Sequence, residues 1–518
     1  MRSLGNPAFI GWSRRLVVSL SGAALTCAAP AQRTALGADA CAAVRELLFP
    51  EVKITSASVV PARDDLPETC DVLGTARGTI GFQVRMPTQG WNGKLYFGGN
   101  GGFGGRVRKD VSQGLSRAYA TVSTDTGHRI LDPALDIADA SWALDSPGAE
   151  LDFAHRAVHE TAVLGKAVIR DYYGVAPRRS YFEGCSGGGR QALQEAIRYP
   201  EDFDGIIARD PALDFTGAFI AYAWNVQAQR AAEVSVETLR LWGDAVVARC
   251  DGLDGLDDGL IDDPRRCQIQ PRSLLCRRGE QTACLSSIEV AALEKIYDGP
   301  RDSRGRQLYP GLSLGGERPE ADDRGWADWV LSSPASPSRG QVFAQQFFRF
   351  LAFVPDRPRF VVEDFDFDTD PPRMEAAARN LNAISVELQA FKERGGKLLL
   401  YQGWSDPAVA PLRTVQYFES LRARFGPSTG EFARLFMVPG AHHCGGGPGP
   451  NEFEALSALE RWVEEGLGPR SIVTVHRRGP HGPIDRTRLL CPYPSVARHS
   501  AGSTDDAASF DCVDPPER

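Results

Sequence analysis

Apolar positions along the chain fall into two kinds of run, and the two alternate. Short apolar stretches bounded by glycine or polar turns predict buried strands at 93–99, 118–125, 181–185, 203–208, 396–403, 433–439 and 472–475. Between them, apolar residues three and four apart predict helices over 153–173, 381–394, 415–425 and 452–465, and 191–196 is built of good helix formers. A strand–helix–strand rhythm of this kind is that of a parallel sheet covered by helices. It runs from residue 41 to about 210, breaks, and returns at 381. The broken stretch, 212–380, holds Trp242, Trp326, Trp329, many Pro and Phe, and several closely spaced cysteines. It reads as an insertion or lid, between a first part of the sheet domain at 32–211 and a second at 381–518.

The N-terminus has its own pattern. Arg14-Arg15 precede an apolar run from Leu16 to Leu25, and Ala29-Pro30-Ala31 offers a small-residue cleavage site. Residues 1–31 are therefore expected to be an export signal, with the mature protein secreted or periplasmic. Cysteine usage agrees. Of 11 cysteines, Cys27 falls inside the signal, leaving an even set in an exported chain, which reads as disulfides. The economical pairing is local: Cys41–Cys70, Cys250–Cys267, Cys276–Cys284 and Cys491–Cys512. That leaves Cys185 and Cys444 for each other.

The 518 residues carry a net charge of −8 and no basic run, which argues against nucleic acid as a partner. No apolar run reaches the roughly 18–20 residues of a membrane span. The oligomeric state is not legible.

Chemistry concentrates at the strand–turn–helix around residue 186. Gly184-Cys185-Ser186-Gly187-Gly188 fills the G-x-S-x-G pattern, which lifts a serine to a helix N-terminus on a tight turn. A serine nucleophile needs a base, and the base needs an acid to orient it. On a sheet of this kind the order along the chain is Ser, Asp, His, with acid and base after later strands. Asp406 follows the strand at 396–403, and His442-His443 follow the strand at 433–439. Spacing alone does not choose between the two histidines. Gly187 would give one backbone donor to an oxyanion, and the loop Gly98–Gly105, through Gly101 or Gly102, the other. A Cys185 nucleophile is the rival, but only the central residue of the turn projects into a site.

A second cluster lies in the broken stretch. Asp251, Asp254, Asp257, Asp258, Asp262 and Asp263 crowd one Gly-rich loop between Cys250 and Cys267. Hard oxygen ligands at such density suit Ca²⁺, though the spacing is not that of an EF-hand.

Cys185-Ser186, Asp406 and His443-Cys444 together resemble the CS-D-HC motif of the tannase and feruloyl esterase family. The resemblance runs over about residues 41–512, and includes the Gly-rich loop, Asp125-Thr126-Gly127-His128, the acidic loop and the cysteine pairs. It implies an α/β-hydrolase fold with a large lid and a Ser186–His443–Asp406 triad, with His443 as base. It also implies a structural Ca²⁺ held by the side chains of Asp251, Asp254 and Asp258 and the carbonyls of Leu256 and Leu260. The implied activity is hydrolysis of esters of small aromatic acids, such as hydroxycinnamoyl or galloyl esters. Hydrolysis of mono(2-hydroxyethyl) terephthalate, also found in the family, is the alternative. Acyl transfer, or a secreted binding protein without turnover, are the remaining readings. Three positions depart from the family's usual pattern. Gly187 stands where terephthalate-monoester hydrolysis goes with Glu, Gln402 where His is common, and Arg209-Asp210 where the usual stretch is small and neutral. Arg349 is the lid cation suggested for holding a substrate carboxylate.

Overall fold

A computed structural model describes residues 37–514 except 108–110, 232–233, 280–281, 320–324, 334–335 and 478–481. The expected signal segment, 1–31, lies outside the described residues. Nine strands form one sheet: β1 (Val52–Val60), β2 (Thr69–Ala76), β3 (Ile80–Pro87), β4 (Lys94–Gly98), β5 (Ala120–Thr124), β6 (Arg179–Cys185), β7 (Gly205–Arg209), β8 (Lys397–Gly403) and β9 (Ala433–Val438). Their spatial order is β1-β2-β3-β5-β4-β6-β7-β8-β9. The first three strands and β5 pair antiparallel, and all pairs from β5 through β4 to β9 are parallel.

The parallel strands are apolar on both faces because both are covered. Leu95, Phe97, Phe182, Ile206, Leu398 and Leu400 point into one core, with α1 (Ala157–Tyr173), α2 (Gly187–Arg198) and α7 (Pro411–Phe425) packed over them. Tyr96, Tyr181, Ile207, Leu399 and Tyr401 point into the other, under α8 (Ala455–Glu465). Sheet and helices together form the α/β-hydrolase architecture.

Between β7 and β8 the chain builds a helical insertion. Helices α3 (Phe215–Ala228) and α6 (Arg339–Phe350) share an aromatic core with Phe103, Trp142 and Phe153 of the sheet domain. Helices α4 (Val236–Cys250) and α5 (Ser287–Asp298) pack around Trp242 and Trp326. The insertion is thus joined to the sheet domain by a shared core.

The helix expected over 381–394 is instead two short ones, Glu375–Leu381 and Gln389–Glu393. Asn382 is pulled out of helical geometry by its partners. Its side chain accepts from the Thr216 amide at 3.0 Å and donates to Asp214, while the Ala383 N–H donates to the Leu213 carbonyl. The β-branched Ile384 and Val386 then disfavour a restart of the helix. Five disulfides, Cys41–Cys70, Cys185–Cys444, Cys250–Cys267, Cys276–Cys284 and Cys491–Cys512, pair the ten described cysteines.

Candidate active site

Ser186 sits between β6 and α2 with φ +61° and ψ −118°, a left-handed conformation that costs about 1–3 kcal/mol for a residue with a side chain. The turn is held from both sides. The Ser186 N–H donates to the Arg209 carbonyl, and its carbonyl accepts from Arg190 and Ala212. Gly184 is required by close approach, since a Cβ there would lie 2.5 Å from the backbone of Gly188. Arg190, one turn into α2, is fully buried and donates to the carbonyls of Phe153, Ala154 and Leu381. No carboxylate pairs with it among these contacts, and burial lowers its pKa to about 9.

Asp406 and His443 are brought together by the ends of neighbouring parallel strands. Asp406 is buried; its Oδ1 accepts from the Ala408 and Val409 amides, and its Oδ2 lies 2.8 Å from His443 Nδ1. A carboxylate only accepts, so the proton of that bond belongs to Nδ1 and Nε2 is left as the basic atom. Burial alone would lower the His443 pKa, but the charge and hydrogen bond of Asp406 together with the charge of Asp210 outweigh it, and the net shift is upward. His442 points elsewhere, its ring beside Gly325 and Gly447. The Cys185–Cys444 bridge joins the residue before the serine to the residue after His443, with Cα atoms 5.9 Å apart.

A small cavity lies over Ser186. Gly102, Gly187, Phe103, Phe215, Phe219 and Trp329 are among its walls. Trp329 also meets the His443 ring edge-on, with centroids 5.4 Å apart, so serine and histidine share one neighbour. Gly187 and Gly102 are adjacent: a Cβ on Gly187 would lie 3.3 Å from the Gly102 N and 2.7 Å from its O. Gly101 is not among the lining residues of that cavity.

Sequence reasoning named Ser186, Asp406 and His443 and an aromatic-rich insertion, but not which aromatic residues meet over Ser186, since Phe103, Phe215, Trp329 and Phe343 come from separate segments. It noted Asp210 and Gln402 only as departures, without a role. Both are buried against the acid and base loops, and Gln402 Nε2 donates to Asp406 Oδ2 at 2.8 Å and to Asp210 Oδ1 at 3.1 Å. Arg349 is not at the cavity; its Nε donates to the Phe360 carbonyl. A cation does lie at the cavity wall: Arg339, exposed, sits 4.8 Å over the Trp329 ring and opposes the positive charge of His443.

In the acidic loop, Asp251 accepts from the Asp258 and Gly259 amides, Asp254 from Leu256, and Asp258 from Leu260. Arg488 donates to Asp258 Oδ2, and Arg486 to the Asp258 carbonyl. Burial and the charge of Asp254 push the Asp262 carboxyl up to about 8, with Arg488 opposing. The loop therefore gathers hard oxygen donors and more negative charge than its arginines balance.

These features recur in known proteins. A tannase and feruloyl esterase family model matches residues 66–513. An uncharacterized esterase of Xanthomonas campestris pv. campestris is 36% identical over 93% of this chain and 92% of its own. The mono(2-hydroxyethyl) terephthalate hydrolase of Piscinibacter sakaiensis is 33% identical, over 87% and 86%. Among solved structures, feruloyl esterase B from Aspergillus oryzae superposes with a TM-score of 0.82 at 24% identity, covering 92% of this chain and 100% of that one, which supports the fold. With a family match over most of its length and two relatives above 30% identity across nearly all of it, the chain belongs to the tannase and feruloyl esterase family.

Proposed function

We propose that this carboxylic ester hydrolase is an exported serine esterase that cleaves esters of small aromatic acids through Ser186, His443 and Asp406. The observation that carries this reading is the Asp406–His443 pair at 2.8 Å, held by a disulfide beside a serine that opens onto an aromatic-walled cavity. His443 Nε2 takes the Ser186 hydroxyl proton as Oγ attacks the ester carbonyl. The oxyanion formed is met by the Gly187 N–H and an N–H of the Gly101–Gly102 segment, with Gly102 the better placed of the two. The tetrahedral intermediate collapses, His443 returns the proton to the leaving alcohol oxygen, and the acid stays bound to Ser186. Water, deprotonated by His443, then attacks the acyl-enzyme and frees the acid. Phe103, Phe215, Phe219 and Trp329 favour a flat acyl group, since ring faces and edges pack well against one another. Five disulfides support an oxidising destination, consistent with export through the N-terminal segment.

We also propose a structural Ca²⁺ in the acidic loop, a reading supported by the density of carboxylates there and by their excess over the nearby arginines. Asp251, Asp254 and Asp258 with the carbonyls of Leu256 and Leu260 would hold it, and the ion would supply charge balance to the loop rather than chemistry to the ester.

The test is hydrolysis of methyl ferulate, methyl gallate, mono(2-hydroxyethyl) terephthalate and p-nitrophenyl butyrate by wild type and Ser186→Ala. An aromatic ester is expected to be preferred, and Ser186→Ala to fold but lose turnover. Undiminished turnover by that variant would sink the mechanism, and activity on the butyrate alone would sink the aromatic acyl group.

One observation favours a second reading. Arg339 places a guanidinium at Trp329, near the cavity wall, and a cation there suits an aromatic acid with a second, free carboxylate. That is the chemistry of mono(2-hydroxyethyl) terephthalate. Preference for this ester, lost in Arg339→Ala while methyl ferulate turnover is kept, would decide for it.

A further inference from the structure

Asp210 stands one residue past β7 and is 3% exposed. Its contacts join three loops that are far apart in sequence. Oδ1 accepts from the Gly403 N–H at 2.8 Å, where β8 gives way to the loop of Asp406. Oδ2 accepts from the Cys444 N–H at 3.0 Å, the residue after His443. The same oxygen lies 3.7 Å from Cys185 Sγ, beside the nucleophile turn. Gln402 then bridges the two carboxylates, donating to Asp210 Oδ1 and Asp406 Oδ2; carboxylates only accept, which fixes the end of the amide that faces them as the donor, and Thr414 Oγ1 donates to Gln402 Oε1 at 2.8 Å.

We infer that Asp210 is a positioning residue for the reaction: a second buried carboxylate that locks the nucleophile, acid and base loops together and, through Gln402, shares a hydrogen-bond donor with Asp406. The inference rests on the Ser186–His443–Asp406 reading. An alanine at this position could accept neither amide. The charge matters beyond the geometry. The groups facing His443 are Asp406, Asp210 and, from the insertion, Arg339; those facing Asp210 are Asp406, His443 and Arg209. Two carboxylates against one imidazole favour its protonated form, which is the form present in both tetrahedral intermediates.

Asp210→Asn removes the charge and leaves one acceptor where two oxygens each receive an amide N–H. The side-chain NH₂ must then oppose Gly403 or Cys444. Measured on the full chain with its disulfides intact, kcat is expected to fall about 10- to 100-fold, as loss of a buried hydrogen bond to a charged group does, with KM within about threefold. The acid limb of the kcat/KM profile should move to lower pH, because His443 loses one of the two charges that raise its pKa. Fluorophosphonate labelling of Ser186 should slow in parallel. If Asp210→Asn does not fold, Gln402→Met removes the bridge while both backbone contacts of Asp210 remain. It should also lower kcat, but move the acid limb the opposite way, since Asp406 loses a donor and more of its charge falls on the imidazole. A wild-type kcat, or a lowered kcat with an unmoved acid limb, would overturn the inference, the latter making Asp210 a structural staple only. Ser186→Ala serves as the control: if it still turns over, the triad reading itself has failed; if it is inert while Asp210→Asn matches wild type, only this inference has.

Discussion

At Gly187 the absence of a side chain is what brings two loops together. A Cβ there would lie 2.7 Å from the Gly102 carbonyl oxygen and 3.2 Å from that of Asn100, both backbone atoms that cannot swing aside as a side-chain tip would. Gly187→Ala should therefore displace the 100–102 segment and with it one oxyanion donor. Loss of one such donor costs about 10²–10³ in kcat, so a fall in kcat of at least tenfold with a small change in KM is expected. A kcat within threefold of wild type would mean the segment yields without moving its amides. The Asp406–His443 contact was legible in the sequence because each residue lies within a few positions of the end of a parallel strand, where a local pattern is enough. The choice between His442 and His443 was not a local matter: it depends on which ring the loop turns toward Asp406. Asp210 was visible only as an oddity, since its partners lie 193 and 234 residues further along the chain.

Among the elements, α1 and α2 meet behind the sheet through a cluster of ionisable groups. His159 of α1 lies 2.6 Å from Asp202, in the turn after α2, and stacks on Tyr199 at 3.9 Å. Lys166 of α1 donates to the Asp202 carbonyl. Glu195 of α2 is 1% exposed beside them, and burial, with the Asp202 charge added, raises its pKa well above the usual carboxylate range. The folded state therefore holds this proton at pH values where the unfolded chain has released it, so the contribution is fully present below the unfolded pKa and is lost as pH rises toward the folded one. Glu195→Gln keeps the shape and removes the titration. Its melting temperature should fall less than that of wild type between pH 5 and pH 8, and parallel declines in thermal melts across that range would refute the assignment. The parallel strands were legible because burial on both faces leaves them almost wholly apolar. The antiparallel strands β1 to β3 carry weaker signals: β1 lines the sheet edge and alternates half-buried and exposed residues, with Ser and Lys among its apolar positions. The expected helix at 381 failed because Asn382 is claimed by Asp214 and Thr216, partners more than 160 residues away.

At the scale of the whole molecule, the acidic loop links the insertion to the C-terminal region. Asp258 is met by Arg486 and Arg488, both on the strand Ile484–Leu490, which pairs with Ile472–Arg477. A cation in this loop would order the segment whose Asp258 meets the C-terminal strand, while the tie between the two parts is made by Arg486 and Arg488. Chelation should therefore lower the melting temperature by several degrees, reversed by added Ca²⁺, while initial rates well below the melting range change little. An unchanged melting curve after metal stripping would count against a structural ion. None of this coupling was legible beyond the loop itself, because the pairing of Asp258 with Arg488 spans 230 residues.

The Cys185–Cys444 bridge closes a covalent ring from the nucleophile turn to the base loop, with a sequence separation of 259 that takes in the entire insertion and Asp406. A protease that nicks an exposed segment such as 303–306 would cut this ring once. The other four bridges each lie on one side of such a cut, so Cys185–Cys444 would be the sole covalent tie between the two pieces, and it lies at the site itself. A nicked molecule would run as one species without reductant and as two with it. Serine and histidine would remain tethered on separate polypeptides, a two-chain esterase made from one gene product.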